Sequence, residues 1–199
     1  MADSSIYRAR ARAHLGGIFE NAWLMLVVAN LVMSFISGLV SSTGIGTLII
    51  AGPLAYGLSH LYMKRIRSGL PVELGDVFKG FQQDFVRNFL LGLLQSLFIV
   101  LWTLLFIIPG YVKAYAYSMA FYVANDHPEL SASECLKKSE RLMQGHKWEL
   151  FLLDFSFIGW MLLSIFTCGI GALWVGVYMD TAHACFYEDL VAREQSYVE

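Results

Sequence analysis

The chain has 199 residues, 57% of them hydrophobic and only 15% charged, against about 25% charged in ordinary soluble domains. A net charge of -2 gives no basic field for nucleic acid, and uncharged runs recur from end to end, so lipid is the expected solvent and a soluble globular enzyme is the reading excluded first.

The segment opens with Arg8, Arg10 and Arg12, fewer cations than a lipid-recruiting polybasic tract of roughly 4–8. The hydrophobic run behind them, 22–40, has no small-residue cleavage site and contains Asn30. It reads as a retained first transmembrane helix, not a signal peptide. After the turn-like Ser41-Ser42-Thr43-Gly44, a second uncharged run, 45–63, ends in Lys64, Arg65 and Arg67. A linker follows in which Leu74, Val77, Phe78, Phe81, Phe85 and Phe89 recur at helical spacing. That pattern predicts an amphipathic helix over about 72–86 carrying its phenylalanines, Phe78, Phe81 and Phe85 among them, at the membrane interface.

A third run, 89–108, is expected to stop at Pro109-Gly110, because proline cannot continue a helix from its interior. The fourth, 110–125, is short and contains Lys113, whose long stem could snorkel to the interface opposite the linkers. A second amphipathic linker helix is expected over 131–144. Ser131 and Glu134 form a capping-box pattern, Cys135, Leu136, Leu142 and Met143 make the apolar face, and Gly145 supplies the stop before the Trp148 anchor. Runs 150–168 and 169–187 complete the count, joined at Thr167-Cys168-Gly169-Ile170-Gly171.

The expected fold is therefore an all-α membrane protein: one domain over 1–199, with six transmembrane helices as three hairpins and two interfacial linker helices. Of the 14 Lys and Arg, all but Lys113 fall on one side of this arrangement, which puts the N- and C-termini in the cytoplasm by the positive-inside rule. The spacing from Pro53 to Pro109, from Pro71 to Pro128 and from Trp102 to Trp160 is nearly constant. With the echo of Gly44-Ile45-Gly46 in Gly169-Ile170-Gly171, it suggests a repeated hairpin.

The candidate chemistry lies in ionisable groups within the runs, each costing about 2.5–3.5 kcal/mol at a helix centre on translocon scales. Asp180 falls near the middle of the last run and His183 at i+3 shares its face, so the two could exchange a proton or share a cation, or could fix helix packing. Asp154 lies shallowly in its run, and Lys113 could neutralise an anion or pair at the interface. His60, Asn30 and Gln95 read as packing groups and interhelical hydrogen-bonders, and Tyr111, Tyr115, Tyr117 and Tyr122 as belt or packing residues. Three scattered cysteines, Cys135, Cys168 and Cys185, form neither a disulfide framework nor a metal motif. There is no HExxH, GxSxG or Walker loop in the chain, so no catalytic residue, metal or cofactor is expected.

The stretches Trp102 to Gly110, Tyr117-Ser118-Met119, Asp126-His127-Pro128, Met143 to Trp148, Phe151 to Trp160, Gly169-Ile170-Gly171 and Phe186 to Leu190 resemble an uncharacterised family of bacterial integral membrane proteins, domain of unknown function 975. Gly52 to Gly57 and the arginine-rich start extend the resemblance more loosely. It implies a multi-pass protein of the bacterial inner membrane and carries no activity with it. Three readings of function follow. They are a non-enzymatic scaffold or transport-associated subunit, a small transporter using Asp180 and His183, and, third, a membrane-embedded enzyme. The compatible partners are membrane lipids, a second copy of the chain or another membrane protein.

Overall fold

The computed structural model describes residues 4–15, 21–41, 45–69, 73–105, 107–165 and 170–196, and these are helical with short connections. The order is α1 (Ser4–Leu15), α2 (Asn21–Ser41), α3 (Ile45–Ser68), a 3₁₀ segment (Leu74–Phe78), α4 (Lys79–Gln82), α5 (Phe85–Leu105), α6 (Ile107–Tyr117), α7 (Ala120–Asp126), α8 (Ala132–Leu142), α9 (Lys147–Ile165) and α10 (Ile170–Ser196). The all-helical class agrees with the sequence. One helix among the described residues, over Phe85–Leu104, is long and apolar enough to cross a membrane by length and composition. The expected turns at 42–44 and 166–169, with Cys168, and the linker start at 70–72 lie outside the described residues.

Several boundaries differ from the sequence reading: α3 runs on to Ser68, α9 starts at Lys147 and α10 continues to Ser196, and the changes around Pro109, Ser118 and the first linker have local physical reasons. α5 begins at Phe85 and ends at Leu105, and α6 starts before Pro109. Proline is tolerated there because a first-turn N–H has no intrahelical acceptor to lose. Gly110 marks close approach, since a Cβ on it would meet Thr103 Oγ1 at 2.2 Å. The expected span 110–125 is broken at Ser118-Met119 between α6 and α7. The break is tolerated because the Tyr117 carbonyl it frees accepts from Gln95 Nε2 of α5 at 3.3 Å and Ser118 Oγ donates to the Tyr115 carbonyl at 2.9 Å.

The first linker is two short helical pieces in place of one helix over 72–86, ending where Asp84 takes φ 46°. Its phenylalanine stripe is nonetheless continuous. The rings of Phe78, Phe81, Phe85 and Phe89 follow one another with centroids 6.4, 6.0 and 6.3 Å apart. The opposite side packs on α3 with backbone against backbone: a Cβ on Gly57 would lie 1.8 Å from the Val77 carbonyl oxygen, and one on Gly80 would lie 1.9 Å from that of Pro53. Glycine is required at these contacts because any side chain would separate the segments.

α8 follows the sequence reading closely. Glu134 closes the capping box on Ser131, whose backbone N–H donates to Glu134 Oε2 at 2.8 Å. Cys135, Leu136, Leu142 and Met143 are buried, and Gly145 adopts φ 80° beyond the helix end. The buried face is turned to the bundle, where Ser139 Oγ donates to the Ala116 carbonyl of α6 at 2.8 Å. This linker helix is thus an integral layer of the fold.

Large apolar side chains also point outward in helical stripes. They are Leu24, Val28, Leu31 and Phe35 on α2, Leu97, Leu101 and Leu104 on α5, and Phe151, Phe155, Ile158 and Leu162 on α9. Leu104 is 84% and Ile108 77% exposed. Contiguous apolar stripes on several helices exceed the scattered exposed leucines of a soluble surface.

Candidate functional site

Asp180 and His183 lie one helical turn apart on α10, and each turns to a different neighbour. Tyr62 of α3 donates its hydroxyl to Asp180 Oδ2 at 3.0 Å, and that hydroxyl accepts from Asn30 Nδ2 of α2 at 2.9 Å. The same amide also donates to the Leu26 carbonyl at 3.0 Å, so both of its hydrogens are used. His183 Nε2 lies 2.5 Å from Asp154 Oδ1 of α9, and the other carboxylate oxygen accepts from Tyr115 of α6 at 3.0 Å.

The result is two short polar chains joined through one turn of α10. Together they tie α2, α3, α6, α9 and α10, through bonds within the α2–α3 and α9–α10 neighbour pairs and from α3 to α10 and α6 to α9. The Asp154 and His183 side chains keep 27% and 21% of their surface accessible, so this pair borders the outside of the packed core. Charge-assisted bonds between positioned groups are the stronger kind, and here they join otherwise apolar helices. In chemical terms the pair can hold or release a proton at His183, with Asp154 orienting the ring and Tyr115 orienting Asp154.

The sequence singles out Asp180, His183 and Asp154; the structure brings His183 onto Asp154, while Asp180 bonds to Tyr62. Tyr62 and Tyr115 were missed as members of the site. A tyrosine on an apolar helix facing a carboxylate-bearing helix is the signal that could have found them, since a buried phenol needs a partner.

Lys113 lies apart from this cluster and does not extend away from the linkers. Its Nζ pairs with Glu140 of α8 at 2.5 Å and sits 5.4 Å from the centre of the Trp102 ring. Ser156 turns back to the Leu153 carbonyl of its own helix. His60 lies 3.1 Å from Asn125 Oδ1 and 3.1 Å from Lys79 Nζ, as a satisfied packing group would.

A second polar assembly gathers at the helix ends that the sequence assigns to the cytoplasm. Arg67 of α3 grips Asp126 of α7 with two nitrogens at 2.5 and 2.7 Å and reaches Glu188 of α10 at 2.6 Å. Arg10 pairs with Asp189, and Arg193 bonds Glu149 at 3.3 Å and the Tyr7 hydroxyl at 3.1 Å. Burial, reinforced by the nearby Asp189 charge, pushes the Tyr7 phenol up to about 12. Asp76 of the first linker receives Lys64 at 2.5 Å and Lys79 at 2.8 Å. Burial raises its pKa, but the two lysine hydrogen bonds and their charges outweigh it and hold the carboxyl below its usual range.

Among the described residues no three His, Cys, Asp or Glu side chains converge on a common metal position, and the described cysteines Cys135 and Cys185 are free and buried. Residues 107–194 match the family described as Protein of unknown function (DUF975). The resemblance read from the sequence is therefore to the matching family. The DUF975 match covers α6 to most of α10, and with them Tyr115, Asp154, Asp180 and His183, while Asn30 and Tyr62 lie outside it. No curated protein and no solved structure matches the chain.

Proposed function

We propose that the chain is a multi-pass protein of the bacterial inner membrane, with six crossings paired as three hairpins and both termini cytoplasmic, acting as a non-enzymatic scaffold or transport-associated subunit. The observation that carries this reading is the distribution of side chains: large apolar stripes point out from α2, α5 and α9 while polar chains point in from α2, α3, α6, α9 and α10. Lipid accepts such an outer surface and water does not. Within lipid the inward polar groups hold helices together through bonds that apolar packing alone cannot specify. The gathering of Arg10, Lys64, Arg67, Lys79 and Arg193 with their carboxylate partners at one end of the bundle supports the proposed orientation. Lipids are the primary partners on this reading, with a second copy or another membrane protein joined through the stripes.

A second reading, a small proton-coupled transporter, is favoured by the accessible surface that Asp154 and His183 retain. Two measurements separate the readings. Single cysteines at Ser42 and Ile108, in a background lacking the three native cysteines, should label from outside intact cells and one at Ser133 should not. Labelling of Ser133→Cys from outside overturns the orientation. Protein reconstituted in vesicles containing a pH-sensitive dye should show no proton flux as a scaffold. Flux that is lost in Asp180→Asn or Asp154→Asn, with folding retained, replaces the scaffold with the transporter.

A further inference from the structure

We propose that the concavity between α8 and the C-terminal end of α10 binds the phosphate of an anionic phospholipid headgroup. The inference rests on the membrane reading above and names a specific lipid contact within it. The concavity has a volume of about 370 Å³ and is lined by Leu130, Glu134, Lys137, Lys138, Arg141 and Glu194. α8 spends its apolar face on the bundle, with Ala132, Cys135, Leu136, Ser139 and Leu142 buried, so its cationic side is turned outward.

Lys137 and Arg141 stand at i and i+4, which places them side by side on that surface. Both are exposed, and neither side chain has a hydrogen-bond or ion-pair partner among the described residues. Lys138 reaches His127 Nε2 at 2.7 Å, not a carboxylate. Glu134 is committed to the helix cap, its Oε2 accepting from the Ser131 backbone at 2.8 Å and hydroxyl at 2.6 Å. Three cations against two carboxylates leave a net positive wall, and one negative phosphodiester complements it.

The guanidinium of Arg141 can meet two phosphate oxygens at once, and Lys137 can approach a third as a point charge. Leu130 offers an apolar rim for the glycerol end of the lipid. Trp148, at the start of α9, is 60% exposed and stacks on Phe151 with ring centres 5.0 Å apart, an arrangement suited to the headgroup level of a bilayer. Arg193, the neighbour of Glu194 in the groove lining, bonds Glu149, the neighbour of Trp148, so the groove opens close to this exposed aromatic anchor, which favours a lipid over free phosphate.

The test uses the full chain purified in mild detergent, with native mass spectrometry counting retained lipid after equal additions of phosphatidylglycerol and phosphatidylcholine. Phosphatidylglycerol should be retained preferentially. Lys137→Gln and Arg141→Gln should each lower that retention by about fivefold, and the pair by roughly 25-fold, the effect expected for single cations near a charged lipid surface. Unfolding temperature should stay unchanged, because both side chains are exposed. Equal retention of the two lipids, insensitivity to both substitutions, or displacement by equimolar inorganic phosphate overturns the proposal while leaving the membrane reading intact. A protein that stays monodisperse and folded without detergent overturns the membrane reading, and the lipid site with it.

Discussion

Replacing Asp154 by alanine removes the acceptor that serves both His183 and Tyr115, at 2.5 and 3.0 Å. In water-soluble proteins each bond to a charged group contributes about 1.5–3 kcal/mol, whereas interhelical pairs in membranes average about 0.6 and reach about 1.7 kcal/mol. Since the Asp154 and His183 side chains remain 27% and 21% accessible, water can answer part of what is lost, and the lower range applies. The expected loss for Asp154→Ala is about 1–3 kcal/mol. Tyr115→Phe, which removes one donor and leaves the ring edge packed 6.2 Å from Phe151, should cost about 0.5–1 kcal/mol. Unfolding in detergent, followed by tryptophan fluorescence at fixed micelle concentration, measures both changes. The double variant should be less destabilised than the sum by about 0.6 kcal/mol or more, because both substitutions remove one shared bond. Additivity within about 0.3 kcal/mol, with Asp154→Ala as stable as the parent, would refute the claim that this chain holds α6, α9 and α10 together.

Gly57→Ala should destabilise by about 1–3 kcal/mol, since its Cβ would sit 1.8 Å from the Val77 carbonyl oxygen. Gly176→Ala, whose Cβ meets nothing within 4 Å, should be neutral or stabilising by up to about 1 kcal/mol; equal effects of the two in the same unfolding assay would contradict the backbone contact. Asp76→Asn tests the lysine cluster through pH. The folded-state pKa of Asp76 is depressed, so its contribution is present above the unfolded value of about 3.9 and is lost as pH falls through the lower folded value. The variant should therefore be less stable than the parent at pH 7, and the gap should close as pH falls below about 4; a gap independent of pH would show that charge is not what Asp76 contributes. Tyr62→Phe should release Asn30 from Asp180 and lower stability by about 0.5–2 kcal/mol, while Tyr111→Phe, at a ring 67% exposed, should be silent in the same measurement.

The sequence by itself determined what depends on neighbours along the chain. Helical class follows from the long uncharged runs; the start of α8 from Ser131 and Glu134, its end from Gly145, and the shared face of Asp180 and His183 from their i+3 spacing are each set within one or two helical turns. The phenylalanine stripe of the first linker was legible for the same reason, although the helix carrying it is in fact two pieces. Tertiary structure decided the rest. The break at Ser118-Met119 exists because Gln95, on another helix, accepts the cost of an interrupted ladder, and Pro109 became legible as a first-turn residue only once α6 was seen to begin two residues before it. His183 chose Asp154 over its own neighbour Asp180, Asp180 took Tyr62, and Lys113 took Glu140. Those partners lie 29, 118 and 27 positions apart, and no local spacing encodes them. Helix packing sets them, because a polar group enclosed among apolar helices must find its partner on whichever helix lies against it.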